Sequence, residues 1–396
     1  MRIGLITGEY PPDQGGVGDF TAHLASALAA QGNQVHVITT QPDRSALVGT
    51  RSKPAPQETR EVTVHRTLSS WGWRCWRGIA AWADDLGLDV LNVQYQAAAY
   101  DMHPAINAIP RPQARPPVVV TFHDLKVPYL FPKAGPLRWW MVRWLASHAD
   151  AVIVTNEEDR MRLDDELDLR ELHLVPIGTN IVPRSRDLYD PMAQRARWGI
   201  EPEDLLLGFF GFLNESKGFE ELIRAQALLV EQGLPVHLLK IGGRVGTADP
   251  TNRAYAERVD DLIAALGLIE RVHWTGYSKP EEVSAALLAA DICVLPFRDG
   301  VSFRRGSLLA CLAHGRAVVT THPRVRLREA RDGETMVLVD PGDPSGLAKA
   351  VHRLRLNPEL RTRLESGATA LAEEFSWGQI ADRTIAVFHG LIGNDQ

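Results

Sequence analysis

Two adjacent arginines, Arg304 and Arg305, sit between a short apolar run, Ile292–Phe297, and an apolar helical pattern, Leu308–His314. Ser307 stands where a helix N-cap is expected, and Gly315 where the chain should leave that helix. Asp299, Gly300, Ser302 and Gly306 complete the loop. A buried strand, a basic loop and a helix N-terminus in succession place fixed positive potential at the carboxyl edge of a sheet. Open α/β folds bind ligands at that edge, and a diphosphate is the anion this geometry suits.

Three other segments carry polar groups to the same kind of place. Gly211–Gly218, GFLNESKG, follows the apolar run Leu205–Phe210 and holds Lys217 near the start of a helical pattern. Alone, Lys217 reads rather as a solvated surface lysine; the Arg304–Arg305 loop following a strand of the same sheet turns the balance to an anion site. Gly8–Phe20 holds Gly15, Gly16 and Gly18 ahead of a helix, so backbone amides can approach a phosphate or a sugar. It lacks the third glycine of a dinucleotide-binding turn, which argues against a dehydrogenase. Val119–Asp124, VVTFHD, delivers His123 and Asp124 to a strand end. His123 can bind a sugar hydroxyl, carry a proton near neutral pH, or be purely structural, and Asp124 can cap a following helix. Gln94 and Gln96 offer neutral sugar-binding groups at another strand end.

The elements that must position these groups alternate strand and helix. Strands are expected at Arg2–Thr7, Gln34–Thr39, Val62–His65, Val90–Gln94, Val118–Phe122 and Ala151–Thr155, with a helix at Asp19–Gln31. Periodicity lapses over residues 175–204, which hold Pro176, Pro183, Pro191 and Pro202, and then restarts. Strands at Leu205–Phe210, Val236–Ile241, Val272–Trp274, Ile292–Phe297, Ala317–Thr321 and Met336–Val339 follow. Helices are expected at Phe219–Gln232, Ala254–Leu266, Ser345–Leu356, Pro358–Glu374 and Ser376–Leu391. The pattern predicts an α/β protein of two doubly wound, Rossmann-like domains facing each other across a central cleft.

The chain has 396 residues, too many for one core, with 45% apolar and 23% charged residues. A net charge of −6 excludes a general nucleic-acid binder and makes the arginines local tools. Cys75, Cys293 and Cys311 lack metal-ligand spacing, which fits a reducing cytoplasm, and the first residues read as a strand rather than a targeting segment. Trp71–Trp82 and Trp139–Trp144 read first as packing faces. Their secondary reading is weak peripheral contact with the inner face of a membrane.

Taken in order, these segments resemble the family 4 glycosyltransferases of the GT-B fold. The likeness is carried by YPPDQGGVGDF at 10–20, HD at 123–124, VPIGTN at 175–180 and GFLNESKG at 211–218. It continues through WTGY at 274–277, the strand–loop–helix at 291–315, DPGDP at 340–344 and FSW at 375–377. The resemblance implies an acceptor-side domain of residues 1–184 completed by a returning helix at 377–396, and a donor-binding domain of residues 185–376. It implies transfer of a sugar from a nucleoside diphosphate to an acceptor hydroxyl on a polysaccharide, glycolipid or small molecule. Configuration would be retained, and no metal or other cofactor would be required.

By the same resemblance, Gly15 and Gly16 would touch the diphosphate or the acceptor, and His123 would approach the donor sugar. Gly211 and Lys217 would hold the diphosphate, while Gly276 and Tyr277 would border the nucleobase. Residues 302–310, with Ser302, Arg304, Arg305, Gly306 and Ser307, would handle sugar, diphosphate and ribose, beside Asp299 and Gly300. Two features depart from the family pattern, at three positions. Phe212 replaces an arginine, and Ser302 and Ala310 replace a Glu-x7-Glu pair. Arg304 and Arg305 can supply the positive charge lost at Phe212, and transfer would proceed by front-face attack. The missing pair also allows a catalytically inactive sugar- or nucleotide-binding protein, or a partner subunit of an active transferase.

Overall fold

In a computed structural model, residues 1–13, 15–41, 62–109, 116–125, 135–185, 189–244 and 250–393 are described. The chain forms two compact units, Met1–Gly178 with Ser376–Gln396, and Thr179–Phe375. The division at 178/179 falls inside the proline-bearing segment 175–204.

The first unit contains β1 (Arg2–Thr7), α1 (Gly16–Ala30), β2 (Gln34–Thr40), β3 (Val62–Leu68), α2 (Cys75–Leu86), β4 (Val90–Tyr95) and β5 (Val118–Phe122). It continues with α3 (Gly135–His148), β6 (Ala151–Val154), α4 (Glu157–Glu166) and β7 (Leu172–Leu174). The second unit holds α5 (Pro191–Ala196), β8 (Leu205–Phe210), α6 (Phe219–Glu231), β9 (Val236–Ile241), α7 (Pro250–Ala265) and β10 (Val272–Trp274). There follow α8 (Pro280–Ala289), β11 (Ile292–Leu295), α9 (Gly306–Ala313), β12 (Ala317–Thr321), β13 (Val337–Val339), α10 (Pro344–Leu356) and α11 (Pro358–Glu373). The chain then returns to the first unit as α12 (Trp377–Ile392).

The seven-stranded sheet runs β3-β2-β1-β4-β5-β6-β7 and the six-stranded sheet β10-β9-β8-β11-β12-β13. Every strand pair is parallel. A parallel sheet is covered on both faces, and the near-continuous apolar strands VLNVQY and LLLGFF are buried accordingly. Strand order reverses between β1 and β4 and again between β8 and β11, so each sheet opens a crevice at those carboxyl ends.

Trp71, Ile79, Phe122 and Val142 fill one face of the first sheet. Leu24, Leu28, Ile380 and Phe388 fill the other, which binds the returning α12 to α1. Phe388 is fully buried there, and its truncation to alanine would cost about 3–5 kcal/mol. Ser376 caps α12 by accepting from the Gln379 amide at 3.3 Å. Trp71, Trp76 and Trp82 are buried, which supports packing for that stretch, but Trp73 is 74% exposed. On α3, Trp140 and Trp144 are exposed with ring centroids 5.6 Å apart, whereas Trp139 lies under the Arg162 guanidinium at 3.7 Å. Among the described residues no helix is long and apolar enough to cross a membrane.

Candidate active site

The second domain gathers its cations at the β8/β11 crevice. Gly211, at φ +129°, turns the chain off β8, and a Cβ there would lie 2.6 Å from the Lys217 Nζ. The lysine ammonium is therefore folded back over bare backbone. One 3-10 turn, Glu215–Lys217, leads to Gly218 at φ +67°, where a Cβ would stand 1.9 Å from the Pro296 carbonyl oxygen. Only glycine lets this turn pass beneath the loop that follows β11.

Arg298 locks the two loops together. Its guanidinium donates to Glu221 at 2.8 Å, Glu215 at 2.7 Å and Glu220 at 2.9 Å, and its backbone amide donates to the Ser216 carbonyl at 2.9 Å. Three carboxylates around one planar cation satisfy all sides of the fork, which neither surface pairs nor a lysine could do.

Arg305 and Arg304 share Asp299. Arg305 Nη2 donates to Asp299 Oδ1, and an Arg304 Nη2 lies 3.8 Å from Oδ2. The Arg305 guanidinium also covers the Phe297 ring at 4.3 Å. Burial, then the neighbouring Arg305 charge, lowers the Lys217 ammonium to about 8. Lys217, Arg304 and Arg305 against Asp299 leave the crevice net positive, although one carboxylate already balances part of the charge.

The expected N-cap at Ser307 is corrected. Arg305 occupies that place with extended backbone, α9 starts at Gly306, and Ser307 is buried in the first turn. The Arg305 amide donates to the Ser302 carbonyl, so a turn closes there and the helix begins directly after it, two residues earlier than expected. Gly300, at φ +80°, passes close under the next loop, where a Cβ would lie 2.6 Å from the His322 carbonyl oxygen. Ser302 accepts the Arg305 backbone amide on its carbonyl at 3.2 Å, and Ala310 is fully buried.

Gly276, at φ +70°, bridges Gly242, whose amide donates to Thr275 Oγ1 at 2.9 Å. Tyr277, beside it, is 77% exposed. Phe212 is half exposed and lies over Gly243, where a Cβ would meet the ring at 3.1 Å. Lys240 was not singled out from sequence, though a lysine inside VHLLKI is the signal. It is fully buried, and its Nζ donates to the carbonyls of Gly242 (2.8 Å) and Gly243. Burial, then Lys217 and Arg244, lowers its ammonium to about 7.

The first domain differs. Gly15 is the extended N-cap of α1, and the Val17 and Gly18 amides donate to Glu9 Oε1 at 3.0 and 3.3 Å. A Cβ on Gly15 would fall 2.0 Å from the Glu9 carboxyl carbon, while Gly16 faces open space. Two amides of the first turn, that of the loop glycine Gly18 and that of Val17, are thus bound to the chain's own carboxylate. Burial raises the Glu9 carboxyl in spite of those amides, and Asp19 and Asp13 add to the rise.

His123 follows β5, packs edge-on against Phe20 at 4.6 Å, and bonds through Nε2 to Gln94 Oε1 at 2.9 Å. Burial pushes its imidazole down to about 3, so it is neutral at physiological pH and takes up no second ring proton there. Gln94 is fully buried behind it and is not a ligand-facing group, in contrast to the half-buried Gln96. The chain after Leu125, where Asp124 was expected to cap a helix, lies outside the described residues. Cys75, Cys293 and Cys311 are all buried and free, and the described residues contain no His/Cys/Asp/Glu cluster suited to a metal.

Two all-parallel Rossmann-like domains, the first completed by the chain's last helix, define the GT-B fold. Solved structures of that fold superpose along the whole chain. Sucrose-phosphate synthase from Thermosynechococcus elongatus matches with a TM-score of 0.69 at 21% identity, covering 99% of both chains. Anabaena HepE in complex with UDP-glucose matches with 0.72 at 17% identity, covering 99% of this chain and 100% of that one. The family model "Glycosyltransferase Family 4" matches residues 14–182, and "Glycosyl transferases group 1" matches residues 204–357.

The D-inositol 3-phosphate glycosyltransferase of Thermomonospora curvata is 30% identical over 50% of this chain and 45% of its own length. That of Streptomyces bingchenggensis is 28% identical over 61% of this chain and 52% of its own. The chain thus spans about half the length of these two relatives. The phosphatidyl-myo-inositol mannosyltransferase of Mycobacterium leprae is 25% identical over 98% of this chain and 96% of its own length. The first domain thus matches the family 4 glycosyltransferases and the second the group 1 glycosyl transferases.

Proposed function

We propose that this protein transfers a sugar from a nucleoside diphosphate donor to an acceptor hydroxyl, with retention of configuration and without a metal. The observation that carries the reading is the convergence of Lys217, Arg304 and Arg305 on the β8/β11 crevice. As the glycosidic bond breaks, negative charge grows on the distal phosphate of the leaving group. Fixed cations in a partly desolvated site stabilise that charge more than they stabilise the intact donor, which is the condition for acceleration. The positive charge that a metal would bring is available from these side chains. With Ser302 and Ala310 in place of a carboxylate pair, front-face attack suits the site, the acceptor proton passing to the departing phosphate. Lys217 and Arg305 would hold that phosphate, Gly306 and Ser307 would present α9 amides to it, and Gly276 and Tyr277 would border the base. UDP is the first nucleotide to test, since Anabaena HepE is known in complexes with UDP, UDP-glucose, and UDP with glucose.

On α3, exposed Leu137, Trp140 and Trp144 support weak contact with an anionic bilayer from the cytoplasmic side. Residues 125–149 contain no acidic side chain and four cations, Lys126, Lys133, Arg138 and Arg143, although the whole chain is acidic.

The test is release of nucleoside diphosphate from a panel of sugar nucleotides, in excess chelator, with the anomeric configuration of any glycoside read by NMR. Slow hydrolysis of one donor without acceptor, unaffected by chelator, is the expected result. Tight nucleotide binding with no turnover under any condition would replace the transferase with a binding protein. An inverted product would overturn the mechanism alone.

A further inference from the structure

We infer that Asn92 and Gln94 are positioning residues that hold His123 as its Nε2–H tautomer, leaving Nδ1 as a lone pair for an uncharged sugar hydroxyl. The chain of donors starts at the Val119 carbonyl, which can only accept. Asn92 Nδ2 lies 3.3 Å from that oxygen and 2.9 Å from Thr121 Oγ1, so this end of the amide is the nitrogen. Asn92 Oδ1 then faces Gln94, whose Nε2 donates to it. That fixes the Gln94 oxygen toward His123, and an oxygen acceptor 2.9 Å from Nε2 requires the ring hydrogen there. Turning over either amide would set oxygen against oxygen inside the sheet.

The arrangement is costly unless every member is bonded, since Asn92 and Gln94 are fully buried and Thr121 nearly so. Valines on those two strands would pack the same space without that demand. What the three polar residues secure is the orientation of one ring, placed one residue past β5 and half buried at the sheet edge. Backbone register holds the frame, with Asn92 beside Val119, Gln94 beside Thr121, and the His123 amide donating to the Tyr95 carbonyl at 3.1 Å. Burial of the imidazole keeps it neutral, so the second nitrogen carries no hydrogen.

A neutral imidazole with Nδ1 unprotonated accepts from O–H groups there and repels carboxylate or phosphate oxygen. Resting on the transferase reading, it follows that the group met by His123 is a hydroxyl of a neutral hexosyl unit rather than the carboxylate of a uronosyl unit.

Long-range proton–nitrogen spectra of the full chain labelled with 15N-histidine test the tautomer directly, the His123 signals being those lost in His123→Gln. A neutral ring protonated on Nε2 and unchanged between about pH 5 and 8 is expected. Gln94→Glu keeps the acceptor but adds charge, so the ring should take a second proton within that range. Gln94→Leu should leave a mixture of tautomers. A hydrogen on Nδ1 in the unsubstituted protein, or a midpoint at the ordinary value of about 6.5, overturns the inference. Comparing UDP-hexose with the matching UDP-uronate tests the hydroxyl. At least about tenfold preference in kcat/KM for the hexose, narrowed in Gln94→Glu, supports it, and equal use overturns it. Failure to turn over any donor would instead remove the transferase reading, with the spectra still deciding the tautomer.

Discussion

The two crevices share one topology and have opposite chemistry. At β1/β4 a glycine-rich loop leads into a helix N-terminus, yet Glu9 fills the Val17 and Gly18 amides and Asp13 and Asp19 add to the negative field. At β8/β11 the corresponding loops bring Lys217, Arg304 and Arg305 together, with Lys240 buried behind them and Asp299 as counter-charge. Strand order creates the edge in both cases. Side-chain charge decides what the edge can bind, so the proposed function assigns the diphosphate to the second domain. Glycines before a helix are permission for a close approach, and in the first domain the group that approaches is an internal carboxylate.

The sharpest way to break this contrast is to remove the guanidinium pair. Arg304→Ala combined with Arg305→Ala should lower turnover by at least roughly 10²–10³-fold, the range seen when one charge-stabilising group is lost. Far-UV circular dichroism should stay close to that of the unsubstituted protein, while the melting temperature falls modestly because the largely covered Asp299 loses both its cations. Undiminished turnover would move the diphosphate elsewhere and end the comparison.

Much of the contrast was legible in sequence. Strand periodicity, the restart after residue 204, and the basic loop at 291–315 all stand close to where the structure has them. The returning helix was legible only through the family resemblance, since Ser376 and an amphipathic pattern say nothing of which sheet α12 covers. Local patterns also missed what is made by distant residues. Glu9 meets amides eight and nine positions away through a loop whose path no periodicity encodes. The Arg298 clamp joins carboxylates 77 to 83 positions earlier, which as a sequence look like an ordinary solvated helix start. The neutrality of His123 depends on burial, with the Phe20 ring from α1 packed edge-on against it. Periodicity reports which face of an element is covered; it does not report what covers it.

A smaller effect sharpens the electrostatic half of the comparison. With Lys217 lowered to about 8, the unliganded protein loses that proton as pH rises through 8, and a diphosphate then finds one cation fewer. Titration calorimetry with UDP should show affinity level below that pH and falling above it, by at most tenfold per unit, with proton uptake on binding. The stability contribution of the same group has the opposite sign. The unfolded chain holds its lysine protons to about 10.4, so between roughly 8 and 10.4 it binds more protons than the native state, and the Lys217 share of stability rises with pH. In Lys217→Met the calorimetric proton uptake should diminish. Uptake that is unchanged would assign the titration to Lys240 instead.

The smallest expected effect tests the first domain alone. Glu9→Gln keeps an oxygen that can accept from Val17 and Gly18 but removes the charge that complements the helix N-terminus, whereas Glu9→Ala removes both. Losing the cap should cost about 0.5–2 kcal/mol in the alanine variant and less in the glutamine one, read from urea unfolding. UDP affinity should not change in either, because the seat that Glu9 fills is not the diphosphate site. Were Glu9→Ala to bind UDP or inorganic pyrophosphate more tightly, the carboxylate would be an occupant that a ligand displaces. The two crevices would then differ in what blocks them rather than in what they bind.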